Sequence, residues 1–316
     1  MRSQRPPILL PGTRVAVTCP SSPPDPVRLE RGVARLRAMG WEIAVGESCR
    51  AGAGIWAGTD EERAGELHQL LCDRSIGAIF AGRGGVGALR LLPYLDSLPD
   101  RLPPVWLVGR SDITALHLRF WGRYAWVGVS GPMVATDLGG VEDPPEPVME
   151  ETRRLLCGTT PIGSIAADQL EAWIPGEARG PLLPVNLSLL VSMVGTGYLP
   201  SLAGTILVLE EIDETPQRID RMLTQLRLSG ALGGVAGLVF GQFTDCRPRG
   251  ETLPASVVRD VLLDHAKRIG VPAVAGLAYG HEPSFHPLPV GAIARLSATD
   301  APGLEVIEAA GSPAPA

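Results

Sequence analysis

Lysine is almost missing from this chain: Lys267 is the only one in 316 residues, and arginine carries the rest of the positive charge. That argues against a Ser–Lys catalytic dyad, because Lys267 sits in the polar stretch Asp264-His265-Ala266-Lys267-Arg268 and no other lysine is available. Basic residues do not dominate either. A net charge of -6 leaves no footprint for nucleic acid, whose binders cluster cations to neutralise phosphates. Cysteine is sparse and unpatterned. Cys19, Cys49, Cys72, Cys157 and Cys246 are odd in number, far apart and free of CxxC or Cys/His ligand spacing, so neither a zinc site nor a disulfide framework is expected. Long hydrophobic runs are missing too. The apolar stretch near the N-terminus is broken by Pro6, Pro7 and Pro11, too soon for a signal peptide's apolar core, and no run reaches membrane-spanning length. What remains is an ordinary globular balance, 45% hydrophobic and 20% charged, in a chain long enough for two domains. A soluble protein of a reducing compartment is expected, with no metal, no organic cofactor and neither nucleic acid nor membrane as partner.

The first half alternates strand and helix signals. Arg14–Pro20, Trp41–Val45, Ala78–Ala81, Val105–Gly109 and Ala125–Val129 read as strands. Between them Val27–Met39, Thr59–Cys72, Ala88–Leu92 and Ile113–Trp121 read as helices, the second opened by a Thr59/Glu62 capping box. Such alternation predicts a parallel sheet flanked by helices, with ligands gathered at the carboxyl ends of its strands. A Pro-rich acidic segment (Val141–Pro147), a helix-like Val148–Leu156 and the loose stretch Trp173–Pro184 follow, and residues 141–184 read as a crossover linker. The second half mixes helices (Leu187–Val194, Arg218–Leu228, Ala255–Arg268) with strands (Thr205–Leu209, Leu238–Phe243, Ala292–Ser297, Leu304–Ile307). The expected architecture is an α/β N-terminal domain with a parallel sheet over 1–140, then a smaller α+β C-terminal domain over 185–310. Residues 311–316 are expected to be a disordered tail.

Chemistry concentrates at a few strand ends. The apolar run Val105–Gly109 stops at Arg110-Ser111-Asp112, and a helical pattern begins at once. A serine at a sharp strand-to-helix turn is where hydrolases place a nucleophile, next to helix N–H groups that can bind an oxyanion. The competing reading is ordinary N-cap chemistry. Gly82-Arg83-Gly84-Gly85-Val86-Gly87 follows a strand, but it lacks the G-x-G-x-x-G fingerprint with its later acid, and the Lys-Ser/Thr of a P-loop. It reads as a tight turn, or as the source of a second oxyanion donor beside Ser111. Glu210 closes the strand Thr205–Leu209 in an acidic turn with Glu211, Asp213 and Glu214; a carboxylate there can orient a histidine. Three histidines, His68, His117 and His265, lie in helix patterns. His281 and His286 lie instead in a loop closed by Pro283, where His281 follows Gly280, a setting that suits a general base.

In order along the chain stand Pro20-Ser21-Ser22-Pro23, Ala57-Gly58-Thr59-Asp60-Glu61-Glu62-Arg63, Arg83-Gly84-Gly85-Val86-Gly87-Ala88-Leu89, Ser111-Asp112-Ile113-Thr114 and Ser130-Gly131-Pro132-Met133. Leu207-Val208-Leu209-Glu210-Glu211, Arg218-Ile219-Asp220-Arg221 and Gly280-His281 before Leu288-Pro289-Val290-Gly291 complete the series. In these motifs, over nearly its whole length, the chain resembles the serine LD-carboxypeptidases, the muramoyltetrapeptide carboxypeptidases and microcin-immunity peptidases. The resemblance implies a hydrolase with a Ser-His-Glu triad of Ser111, His281 and Glu210, acting through an acyl-enzyme. It implies a nucleotide-binding-like N-terminal domain, a smaller C-terminal domain with the site between them, a homodimer and a cytoplasmic role in peptidoglycan recycling; the amide N–H of Asp112 and a glycine N–H near Gly85 are the candidate oxyanion donors. Arg83, Arg110 and Asn186 are the candidate substrate-binding residues, the arginines for a free carboxylate. Four places depart from the family pattern: Arg110 for an aromatic or histidine, Val86 for a tyrosine, Pro184-Val185 for a glycine pair, and Gln217 for an aromatic. These motivate an alternative substrate, a peptide-like natural product or antibiotic conjugate, on the same triad. A catalytically silent binding protein of the same fold is the alternative of another class.

Overall fold

Apolar runs such as Val105–Val108 become strands covered on both faces, which is why they show no polar alternation. The structure, a computed structural model, describes residues 3–142, 144, 146–165, 170–250, 253–254 and 256–314. It divides into two units: Met1–Thr160 with Pro287–Gly291 and Ala309–Ala316, and Pro161–His286 with Ala292–Glu308.

The first unit carries β1 (Arg14–Thr18), α1 (Pro26–Ala38), β2 (Glu42–Val45), α2 (Asp60–Cys72), β3 (Ile76–Ala81), α3 (Ala88–Leu91), β4 (Trp106–Val108), α4 (Thr114–Tyr124), β5 (Gly128–Ser130) and α5 (Glu146–Cys157). Asp25 caps α1 by accepting from Arg28 N–H, and Thr59 and Glu62 form the expected capping box on α2. Leu29, Val33 and Leu36 of α1 recur at helical spacing and are buried, as are Val15, Val17, Ile79, Phe80 and Trp106 of the sheet. Burying each such side chain contributes roughly 1.5–3 kcal/mol. Ala125 ends α4 in a left-handed conformation (φ 55°), so the strand expected from Ala125 starts only at Gly128.

The second unit carries β6 (Gly163–Ser164), β7 (Glu171–Ile174), β8 (Gly176–Asn186), α6 (Leu187–Ser192), β9 (Ile206–Ile212), α7 (Pro216–Leu228), β10 (Gly237–Thr244), α8 (Val257–Ile269) and β11 (Ala273–Ala275). The chain then gives β12 (Leu288–Val290) to the first unit and returns with β13 (Ile293–Ala298) and β14 (Gly303–Val306). The first sheet runs β12-β5-β4-β3-β1-β2, parallel except for β12, which pairs antiparallel with β5. The second runs β6-β14-β13-β8-β9-β10-β11-β7, with a parallel centre (β8 to β11) and antiparallel flanks. Both halves therefore match the expected classes.

Residues 141–184 are more than a linker. They contain α5, β6, β7 and most of β8, divided between the two units. The tail is tied as far as Ser312, which donates to the Pro6 carbonyl at 2.8 Å and accepts from Ile8 N–H at 2.9 Å. Pro315 and Ala316, and Ala255 as the expected first residue of α8, lie outside the described residues. Distant in sequence, Cys19 and Cys49 are adjacent in space, with Sγ atoms 3.6 Å apart. The hydrogen bond that Cys19 donates to Cys49, together with burial, holds the Cys19 thiol well above its ordinary range. Among the described residues no helix is long and apolar enough to cross a membrane.

Candidate functional site

Ser111 opens a short 3-10 turn (Ser111–Ile113) between β4 and α4, at φ 62°. A non-glycine residue in the left-handed region is uncommon, and it holds the hydroxyl at the tip of the turn where a nucleophile is wanted. No side-chain cap bond forms at the start of α4, so the capping reading of Ser111 has no support. Ser111 is half-buried. The glycine loop lies against it: a Cβ added to Gly84 would come within 3.2 Å of Ser111 Cβ and 3.4 Å of its Oγ. His117, one turn into α4 and fully enclosed, has Nε2 2.9 Å from the Gly109 carbonyl just before the turn. Burial lowers its pKa to about 4, against the opposing pull of backbone bonds to Gly109 and Val129.

Two further loops converge on this turn. The Asp112 carboxylate is buried, and its Oδ2 accepts from Ser21 Oγ at 2.6 Å and from Ala88 N–H at 2.7 Å. Burial raises its pKa, opposed by those two bonds and by the Arg63 charge. Ser22 N–H donates to the Gly84 carbonyl and Ser22 Oγ accepts from Val86 N–H, both at 3.2 Å. Arg63, wholly buried, donates to the carbonyls of Pro20 and Gly58 and pairs with Asp60. Among the described residues neither Asp112 N–H nor Gly85 N–H is bonded to a protein acceptor.

In the second unit β9 ends in two carboxylates that alternate across the strand. Glu210 Oε2 lies 2.7 Å from His281 Nδ1. Glu211 instead accepts from Asn186 Nδ2 (3.0 Å), Ser188 N–H (2.7 Å) and Ile212 N–H (2.9 Å); burial raises its pKa despite these bonds. The His281 loop is clipped by Gln242 of β10. Gln242 N–H donates to the Tyr279 carbonyl (2.7 Å), its Nε2 donates to the Ser284 carbonyl (3.2 Å), and its Oε1 accepts from Glu282 N–H (3.3 Å). Gly280 has φ 154°, and a Cβ there would sit 2.8 Å from Gln242 Cβ, so the glycine before His281 is a packing requirement.

The three substrate-binding candidates separate. Arg83 is exposed, with Nη1 on the Pro23 carbonyl at 3.2 Å. Arg110 is buried, and its Nη2 pairs with Asp137 Oδ1 at 2.6 Å, while Asp137 Oδ2 accepts from Met133 N–H; this ties the 130–137 loop to the Ser111 turn. Asn186 is buried too, and its Oδ1 accepts from Leu189 N–H as the cap of α6. The contacts of Arg110 and Asn186 are thus internal ties. Pro184 and Val185, which stand for the family's glycine pair, are buried strand residues opposite Val208 and Leu209. Val86 is 44% exposed and Gln217 half-buried. Sequence reasoning missed Ser21, Ser22 and Gln242 as site-forming residues. The one available signal was a glutamine interrupting the apolar run of β10.

Against known proteins, the family model of the LD-carboxypeptidase N-terminal domain matches residues 15–131, and that of the C-terminal domain matches residues 179–296. A probable murein peptide carboxypeptidase of Bacillus subtilis (strain 168) is 33% identical over 296 residues, 94% of this chain and 92% of that protein. The crystal structure of muramoyltetrapeptide carboxypeptidase from Oxalobacter formigenes is similar with a TM-score of 0.81 and 26% identity, covering 96% of this chain and 100% of that one. The microcin C7 self immunity protein MccF is similar with a TM-score of 0.87, covering 98% of this chain and 100% of that one; at 20% identity the likeness is one of fold.

Proposed function

The chain belongs to the LD-carboxypeptidase family, and we propose that it is a serine-type carboxypeptidase that hydrolyses the amide before a terminal D-amino acid, with murein tetrapeptide as its substrate. The observation that carries the reading is the 2.7 Å contact between Glu210 and His281. A carboxylate only accepts, so His281 Nδ1 must carry the proton and Nε2 is left with its lone pair as a base. Ser111, at its left-handed turn, is the partner such a base activates.

In this reading Ser111 Oγ attacks the carbonyl while its proton passes to His281 Nε2. The oxyanion is met by the N–H groups of Asp112 and Gly85. His281 then protonates the leaving amine, the C–N bond breaks, and the D-amino acid departs from an acyl-serine ester. Water, deprotonated by His281, cleaves the ester and restores Ser111. Arg83 is the exposed cation suited to the substrate's terminal carboxylate. The reading carries with it a cytoplasmic enzyme of murein turnover that assembles as a homodimer.

A second reading keeps the triad and changes the acyl donor to a peptide-like natural product or antibiotic conjugate. The fold likeness to MccF and the exposed Val86 beside Arg83 favour it. Mass-spectrometric assay of D-terminal peptides, murein tetrapeptide first, separates the two. Release of the terminal D-amino acid supports the leading reading. Turnover confined to a peptide-like conjugate supports the second. Failure of a fluorophosphonate to label Ser111, with no turnover of either substrate, leaves a silent binding protein.

A further inference from the structure

We propose that Ser21, Ser22 and the Asp112 side chain are positioning residues that hold the Gly85 and Asp112 amides in the orientation an oxyanion needs; the proposal rests on the reading of Ser111 as nucleophile. Gly85 is gripped on both sides. The residue before it offers its carbonyl to Ser22 N–H, and the residue after it gives its N–H to Ser22 Oγ, each at 3.2 Å. Gly85 itself has φ 101°, and a Cβ on it would lie 2.3 Å from Ser22 Oγ, so the clamp closes only on glycine.

The far end of the loop is fixed from the nucleophile turn. Asp112 does not cap its own helix; its Oδ2 takes Ala88 N–H, the first amide of α3, together with the Ser21 hydroxyl. One carboxylate oxygen thus joins the turn that supplies the first donor to both loops that fix the second. Asp112 is 2% exposed and Ser21 fully buried. A carboxylate is costly to bury unless bonded, and this one is bonded twice with the Arg63 charge in its surroundings. Ala57 N–H on the Ser21 carbonyl (3.0 Å) and Arg63 on the Pro20 carbonyl hold the third loop in turn. Donors fixed before the reaction stabilise an oxyanion without reorganising, and loss of one costs about 10²–10³ in rate.

The test is the rate at which a fluorophosphonate phosphonylates Ser111. In that reaction the Ser111 Oγ–P bond forms, the P–F bond breaks, fluoride leaves and the hydroxyl proton passes to His281. Negative charge grows on the phosphoryl oxygen, so the rate reads the oxyanion donors without the natural substrate. Ser22→Ala and Asp112→Ala should lower the limiting rate on the order of 10- to 10²-fold, a partial loss of one donor. The half-saturating probe concentration and the unfolding midpoint should hold. Asp112→Asn keeps an oxygen for both donors and should retain most of the rate, a rescue that a purely structural role would not require. If Asp112→Ala fails to fold, Ser22→Ala and Asp112→Asn decide. A folded Ser22→Ala that is labelled at the wild-type limiting rate, while Ser111→Ala is not labelled, overturns this inference alone. Absence of labelling in the wild type, or undiminished labelling of Ser111→Ala, overturns the nucleophile reading and this inference with it.

Discussion

The Ser111 turn and the Glu210–His281 pair are held by different means. Around Ser111 the backbone does most of the holding: a left-handed residue, glycines with no room for a Cβ, and side chains that bond to amides and carbonyls. Around His281 the holding is by side chains, a carboxylate on one ring nitrogen and one glutamine amide across the loop. The first arrangement is vulnerable to added atoms as well as to removed ones, the second chiefly to removed ones.

The largest test removes the hydroxyl. Ser111→Ala should lower turnover by on the order of 10³ or more with the fold intact, since only oxyanion and binding effects remain. Near-wild-type turnover would dissolve the comparison, because the turn would then hold nothing catalytic. The next effect is on stability and belongs to the first unit. Folded His117 titrates near 4 and an unfolded histidine near 6.5. The folded form therefore stays neutral while the unfolded chain takes up a proton. The stability His117 contributes is fully present above about 6.5 and is lost as pH falls from there to about 4. The full difference is roughly 3 kcal/mol, at about 1.4 kcal/mol per unit. Urea unfolding from pH 7 to 4.5 should show this slope, and His117→Gln should flatten it; an equal slope in the variant would assign the acid lability elsewhere.

The smallest effects sharpen the contrast most. Gly84→Ala adds a methyl 3.4 Å from Ser111 Oγ, and Gln242→Ala removes the clip on the His281 loop. Each should cost roughly tenfold in turnover, as small misplacements do. Their pH profiles should differ: Gln242→Ala shifts the limb set by the base, whereas Gly84→Ala lowers the whole curve. Identical profiles would mean that the two loops do not hold separate functions.

The strand-to-helix turn at Ser111 was legible because three local signals coincide there: an apolar run, a polar break and a helical period. The Thr59–Glu62 capping box was legible for the same reason. The stretch Trp173–Pro184 misled because its prolines and glycines imitate a loop. In β8 the N–H groups alternate between neighbours, with Leu182 N–H donating toward β13. Pro184 therefore faces the β13 side after that pairing has ended at Pro181, and Pro181 faces the β9 side before that pairing starts at Leu182. Neither proline costs the sheet a bond. Strand β12 was missed because three residues around Pro289 carry no period. Ser22 and Gln242 were missed because a side-chain bond to a loop distant in sequence leaves no spacing to read.

The route of the chain through the first sheet has a consequence for biosynthesis. Strand β5 receives its outer neighbour from Leu288–Val290, which is translated only after almost all of the second unit. At about 5–20 residues per second the ribosome leaves that edge open for on the order of ten seconds. During that interval Gly128–Ser130 presents unpaired amides and carbonyls to any strand in reach, including the same strand of another nascent copy. A chain released before Pro287 would keep that edge permanently, so premature termination anywhere in Pro161–His286 yields a sticky product rather than a free first domain.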